Sequence, residues 1–180
     1  MPSLLVTDRE GAERAIADGN PSDIVALVSL HDPARAEIMS TSHKTPCAGF
    51  DAFSGSKIAF EFADTEPEDS WLGEFAATPE DIESVIAWGR EHKDTEGTVL
   101  VHCNAGVGRS PAVAFILQCL WDDTKGRESH SLQRALSRCD TNPFPNAWVV
   151  KLGDDILCRD RGMVRAVKSF KDSVIGSRMY

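Results

Sequence analysis

His102-Cys103-Asn104-Ala105-Gly106-Val107-Gly108-Arg109-Ser110 is the run on which the reading of this chain turns. It ends a short apolar stretch, residues 98–102, whose Val99, Leu100 and Val101 have the character of a strand buried on both faces. Ser110 and Pro111 then open a helical pattern, with Val113, Phe115, Ile116, Leu117 and Leu120 as its apolar residues. Strand, glycine-bearing loop and helix start in such close succession make an anion cradle. A loop that wraps a phosphate turns its backbone N–H groups inward, which asks for conformations that glycine adopts cheaply, and Gly106 and Gly108 are placed to supply them. The helix that follows points its positive end at the same spot.

Outward from the cradle, strand-like runs alternate with helical ones, the order expected of an α/β domain with a largely parallel sheet flanked by helices. Upstream, residues 4–6, 24–30 and 57–62 are predicted strands, and residues 10–17 a helix with Ala12, Ala15 and Ile16 on one face. Residues 40–56 carry Pro46, two glycines and clustered Ser and Thr, and read as a loop. The acidic residues 61–73 form a second loop. Thr78 has the marks of an N-cap, with Pro79 at the first helical position and Asp81 at the third, before Ile82, Val85, Ile86 and Trp88. Downstream, Leu132, Ala135, Leu136 and Cys139 share one helical face, Val149, Leu152 and Ile156 a second, and Val164, Val167 and Phe170 a third. Residues 142–146 interrupt them, as a helix breaker and N-cap or as part of a pocket rim.

In the field of such a loop a thiolate is stabilised, which makes Cys103 the candidate nucleophile. Arg109 lies six residues further on, close enough around the loop to return to a bound phosphate, where its planar fork grips two oxygens. Asn104, Ala105, Gly106, Val107 and Gly108 supply the wrapping backbone. Ser110 can donate a hydrogen bond to the sulfur as it leaves, and His102 braces the loop rather than transferring protons.

The chain is 180 residues long, 42% hydrophobic and 26% charged, the composition of a folded protein with one core, so a single domain over residues 1–180 is expected, with a flexible tail at about 171–180. A net charge of −9 argues against nucleic acid or an acidic membrane surface as partner, since both need a basic face. No apolar run approaches the roughly 18 residues of a membrane span, and the N-terminus has no secretory pattern. Cys47, Cys103, Cys119, Cys139 and Cys158 are odd in number with no C-x-x-C pair, so reduced thiols in a cytoplasm are expected, with Cys47, Cys119, Cys139 and Cys158 as packing or surface residues.

The segment 102–110 matches H-C-x5-R-S, and on it the chain resembles the protein tyrosine and dual-specificity phosphatase superfamily, above all compact bacterial proteins of dual-specificity-like build. The resemblance implies a phosphocysteine intermediate, no metal or other cofactor, a phosphorylated protein as substrate with phosphotyrosine favoured, and an aspartate on a separate loop that protonates the leaving oxygen. Asp64, just past the predicted strand at 57–62 and 39 residues before the cysteine, is the first candidate for that acid. Asp69 is the second and Asp32 the third. His31 and Asp32 end the strand at 24–30, where ligands of parallel sheets gather.

The chain departs from parts of the family pattern. There is no Trp-Pro-Asp loop, and the sole tyrosine is Tyr180, so the tyrosine that stacks on phosphotyrosine in receptor-type enzymes has no counterpart. Asn104 and Val107 stand where phosphoinositide phosphatases of the superfamily tend to place lysines, which disfavours a multiply charged inositol lipid. Two other uses of the cradle are a phosphopeptide-binding module with little turnover and an anion-site cysteine enzyme such as an arsenate reductase or a sulfur transferase.

Overall fold

The structure is a computed structural model and describes residues 1–18, 23–35, 44–69, 71–123 and 125–177. Its centre is β4 (Thr98–His102), buried at every residue. Burial on both faces follows from its neighbours: β1 (Ser3–Thr7) and β2 (Ile24–His31) pair with its two edges, β3 (Ser56–Glu61) pairs with β2, and all pairings are parallel in the order β1-β4-β2-β3. Side chains alternate along these strands, so each strand feeds two cores. Leu4, Val6, Ala26, Val28, Leu30, Val99 and Val101 join the larger one. Leu5, Leu27 and Leu100 join the smaller one, where Ala12, Ala15 and Ile16 of α1 (Arg9–Ala17) cover the sheet. A bulge between Ile24 and Ala26 resets the alternation of β2, which is why Ile24 packs in the smaller core and Val25 against the larger.

The larger core is closed by α2 (Pro79–Glu91), α3 (Arg109–Asp122), α4 (Glu128–Leu136), α5 (Ala147–Ile156) and α6 (Gly162–Ser177). α3 is apolar all round because it is enclosed, with α2, α4 and α5 packed on it and β1 and β4 beneath. α2 starts as its sequence requires. Thr78 Oγ1 accepts from the Asp81 N–H at 3.2 Å, and the Asp81 carboxylate accepts from the Thr78 N–H at 2.8 Å. Such a reciprocal cap contributes about 1 kcal/mol.

The α/β class and the order of elements agree with the sequence reading, and the differences are local. β3 covers Ser56–Glu61 rather than 57–62. α4 ends at Leu136, so Cys139 leaves the helical face expected for it and forms an isolated bridge with Val6. Of the loop at 40–56, residues 40–43 lie outside the described residues. α6 runs to Ser177, into the segment expected as a tail, and residues 178–180 lie outside the described residues. Among the described residues no helix is long and apolar enough to cross a membrane.

Candidate active site

Strand alternation continues one residue past β4 and separates His102 from Cys103. Cys103 follows Val99 and Val101 into the larger core, where it is buried at the foot of α3. His102 follows Leu100 to the face covered by α1. Its Nδ1 lies 3.3 Å from the Cys103 carbonyl, and burial pushes the imidazole down to about 4 against the opposing pull of that contact, so the ring is neutral near pH 7. A neutral ring donates from Nδ1 and braces the start of the loop.

The cradle is set by where its carbonyls go. The Asn104 carbonyl accepts from the N–H of Arg9 at 3.1 Å, Gly106 from Thr141 Oγ1 at 2.7 Å, Val107 from the N–H of Phe144 at 2.7 Å, and Gly108 from the N–H of Asn146 at 3.0 Å. With these carbonyls engaged by two segments, the start of α1 and residues 141–146, the N–H groups of residues 104–108 are left to face a ligand, and among the described residues none of them donates to a backbone carbonyl. α3 begins at Arg109 with Gly108 as its N-cap, and no side chain caps it. Its first-turn N–H groups therefore add to the same anion site.

The two glycines serve different ends. Gly106 has φ +68°, and a Cβ there would also come within 2.7 to 2.9 Å of Thr141 and of the Thr7–Asp8 backbone. Gly108 has φ −104°, which any residue adopts, contrary to the backbone freedom expected of it. Its missing Cβ makes room instead: a methyl built there would fall on the carboxylate of Asp64.

Arg109 is 3% exposed and its guanidinium is clamped on one edge. Nη1 donates to the Phe62 carbonyl at 2.7 Å and lies 2.8 Å from Asp32 Oδ1, an ionic contact poorly aligned as a hydrogen bond. Nε is buried with no partner, which leaves it available to an oxyanion. Ser110 Oγ donates to Cys103 Sγ at 3.2 Å. The other thiols are in different surroundings: all five cysteines are unpaired, and burial pushes Cys47 up to about 11 and Cys119 up to about 12, so neither ionises near neutrality.

The three candidate carboxylates separate cleanly. Asp64 is exposed, lies against Gly108 and accepts from Asn146 Nδ2 at 2.8 Å. Asp69 caps its own turn, accepting from the N–H groups of Trp71 and Leu72 at 2.8 Å each; these bonds hold its carboxyl below the usual range, the wrong direction for a proton donor. Asp32 is 4% exposed and engaged with Arg109, so it serves as that residue's counter-charge rather than as a spare acid. Asn146 is the participant that sequence reasoning placed only within residues 142–146, as a helix breaker and N-cap or as part of a pocket rim. The N-cap role is present, with Oδ1 accepting from the Val149 N–H at 3.0 Å, and the same side chain also reaches Asp64. The rim beyond Val107 is apolar: Val107, Phe144 and Ile175 are exposed and, with Phe170 and Val174, line a groove of about 590 Å³. Lys171 lies 4.0 Å over the Phe144 ring, its ammonium pushed down by burial while Glu66 and Asp64 pull it back up. Among the described residues no group of three or more His, Cys, Asp or Glu is placed to hold a metal ion.

No family model matches the chain, and no curated protein matches it in sequence. Solved structures do match. The human tyrosine phosphatase-like serine/threonine/tyrosine-interacting protein aligns at a TM-score of 0.60 and 18% identity, over 88% of this chain and 93% of that one. Human DUSP28 aligns at 0.55 and 16%, over 88% and 96%, and DUSP15 at 0.52 and 12%, over 94% and 92%. The arrangement of sheet, cradle and covering helices described above is thus the fold of the cysteine-dependent protein tyrosine and dual-specificity phosphatases.

Proposed function

We propose that the protein is a phosphomonoester hydrolase that works through a phosphocysteine on Cys103, with phosphorylated protein as substrate and phosphotyrosine preferred. What supports this reading most is the loop that follows Cys103, whose carbonyls at Asn104, Gly106, Val107 and Gly108 are all engaged while its N–H groups donate to no backbone carbonyl among the described residues, together with the unpartnered Nε of the buried Arg109. Three phosphate oxygens are held by those N–H groups and by the Arg109 fork, and the sulfur stands beneath the phosphorus for in-line attack.

In the first step the S–P bond forms, the P–O bond to the leaving group breaks, and Asp64 gives that oxygen its proton. In the second, water attacks phosphorus while the Asp64 carboxylate takes a proton from it. The S–P bond breaks, and the departing thiolate is received by the hydroxyl of Ser110. Phosphate and the starting protonation states are recovered.

A preference for phosphotyrosine is supported by burial and lining. Cys103 and Arg109 are 1% and 3% exposed, while Val107 and Phe144 beside the loop are apolar and open, a surrounding that suits an aromatic ring better than a short serine side chain. Cys103, Arg109 and a carboxylate over the loop together favour turnover over mere phosphopeptide binding. The test is one peptide sequence carrying phosphotyrosine, phosphoserine or phosphothreonine in turn, assayed with chelator and without added thiol substrate. Steady release of phosphate, fastest from phosphotyrosine, is expected. No release in the absence of a thiol co-substrate would point to an arsenate-reductase-like or binding role instead.

A further inference from the structure

Asn146 sits at the N-cap of α5, 9% exposed and outside the cradle, yet every polar group it carries is directed at the site or at its own helix. Its N–H donates to the Gly108 carbonyl at 3.0 Å, and its Oδ1 accepts from the Val149 N–H at 3.0 Å. Its Nδ2 donates to Asp64 Oδ1 at 2.8 Å and to the Thr65 carbonyl at 3.4 Å. The partners determine the orientation of the amide, because the reverse one would set an oxygen against the Asp64 carboxylate and an NH₂ against the Val149 N–H.

We infer that Asn146 is a positioning residue that decides which oxygen of Asp64 carries the transferred proton. With Oδ1 occupied as an acceptor, a proton on that oxygen would meet the amide hydrogens, so the protonated acid carries its hydrogen on Oδ2. Oδ2 is the oxygen on which a Gly108 Cβ would fall most closely, and it therefore overlies the phosphate loop. The amide bond to Oδ1 persists in both protonation states and strengthens when the carboxylate becomes charged, so the group need not rotate between giving a proton to the leaving oxygen and taking one from water. Asn146 thereby couples the height of the acid to that of the loop, since one residue holds Asp64 with its side chain and Gly108 with its backbone. Lys171 is a charged side chain whose field reaches Asp64, and it faces Glu66 as well. This inference rests on the proposed phosphatase reaction and on Asp64 as its acid.

The test is Asn146→Ser, which keeps an N-cap acceptor and the backbone N–H but removes the amide, with Asn146→Thr as a second variant of the same design. A series of aryl phosphates from 4-nitrophenyl phosphate to phenyl phosphate and phosphotyrosine is assayed on the wild type, each variant, Asp64→Asn, and the double variants. For Asn146→Ser, kcat/KM for phenyl phosphate and phosphotyrosine is expected to fall about tenfold or more while that for 4-nitrophenyl phosphate changes much less, because only poor leaving groups need the proton. On the Asp64→Asn background the same change should have little further effect, since both act through one group. An equal loss across all substrates, or a loss that multiplies with Asp64→Asn, would show that Asn146 only supports the fold and overturn the inference. If Asp64→Asn leaves the dependence on leaving group unchanged in an active enzyme, the acid is elsewhere and the inference falls while the phosphatase reading stands. A wild type without any turnover refutes both.

Discussion

Asp32→Asn probes the enclosed ion pair that Asp32 makes with Arg109, the residue proposed to grip phosphate. The Arg109 and Asp32 side chains are 4% and 6% exposed, with Nη1 and Oδ1 2.8 Å apart. At an effective dielectric near 20, unit charges about 4 Å apart attract by about 4 kcal/mol. Neutralising only the aspartate forfeits that attraction and leaves Arg109 desolvated, whereas the isosteric amide still offers an oxygen to Nη1. A loss near the lower end of the range for a broken buried pair, about 3 kcal/mol, is therefore expected. For a chain of this size that lowers Tm by about 6 to 12 °C. Saturating phosphate should restore more of the loss in the variant than it adds to the wild type, since the bound dianion takes over as counter-charge and stabilises only the native state. Thermal unfolding by circular dichroism with and without phosphate measures both effects. Kinetically, Asp32→Asn should reduce kcat/KM by the same factor for good and poor leaving groups, because it acts through Arg109 and not on the leaving oxygen. A Tm change below about 2 °C would refute the energetic reasoning, and a loss that grows with leaving-group pKa would make Asp32 the acid.

Arg109→Lys keeps the charge but loses the fork whose Nε now stands unpartnered, so turnover should drop by about 10² or more; a near-wild-type rate in phosphate-release assays would place Arg109 outside the transition state. Gly106→Ala combines φ +68° with contacts to the Thr7–Asp8 backbone and should cost about 1 to 3 kcal/mol together with phosphate affinity. Gly126→Ala, at φ +83° with open space around it, should show the strain alone, and equal urea midpoints for the two would refute the crowding at Gly106. His102 is held near 4 in the folded protein against 6.5 ordinarily, so below about pH 6.5 the unfolded chain binds more protons and stability falls as pH drops towards 4. That fall should amount to as much as about 3 kcal/mol by urea titration and should flatten in His102→Gln.

Much of this was legible because it depends on local rules. The unbroken apolar run of Val99, Leu100 and Val101 identifies a strand buried on both faces, and Thr78, Pro79 and Asp81 write out a helix cap residue by residue. Cys103, Arg109 and Ser110 lie at the two ends of one short loop, so their spacing alone carries the geometry. The pairing of Asp32 with Arg109 and the reach of Asn146 to Asp64 join residues 77 and 82 positions apart, and no pattern along the chain records such contacts. Gly108 shows the same limit from the other side. Its place in a cradle suggests backbone freedom, but its need for hydrogen in place of a side chain arises from a carboxylate on another loop.

Bond formation between sulfur and phosphorus can be measured by acid-quenching the enzyme within the first turnovers of a phosphorus-labelled aryl phosphate and mapping the labelled peptide. Label bound through sulfur on the peptide that holds Cys103, and none in Cys103→Ser despite retained vanadate or phosphate binding, is the expected result. Label on another residue, or hydrolysis by Cys103→Ser above a trace, would contradict a mechanism built on this cysteine.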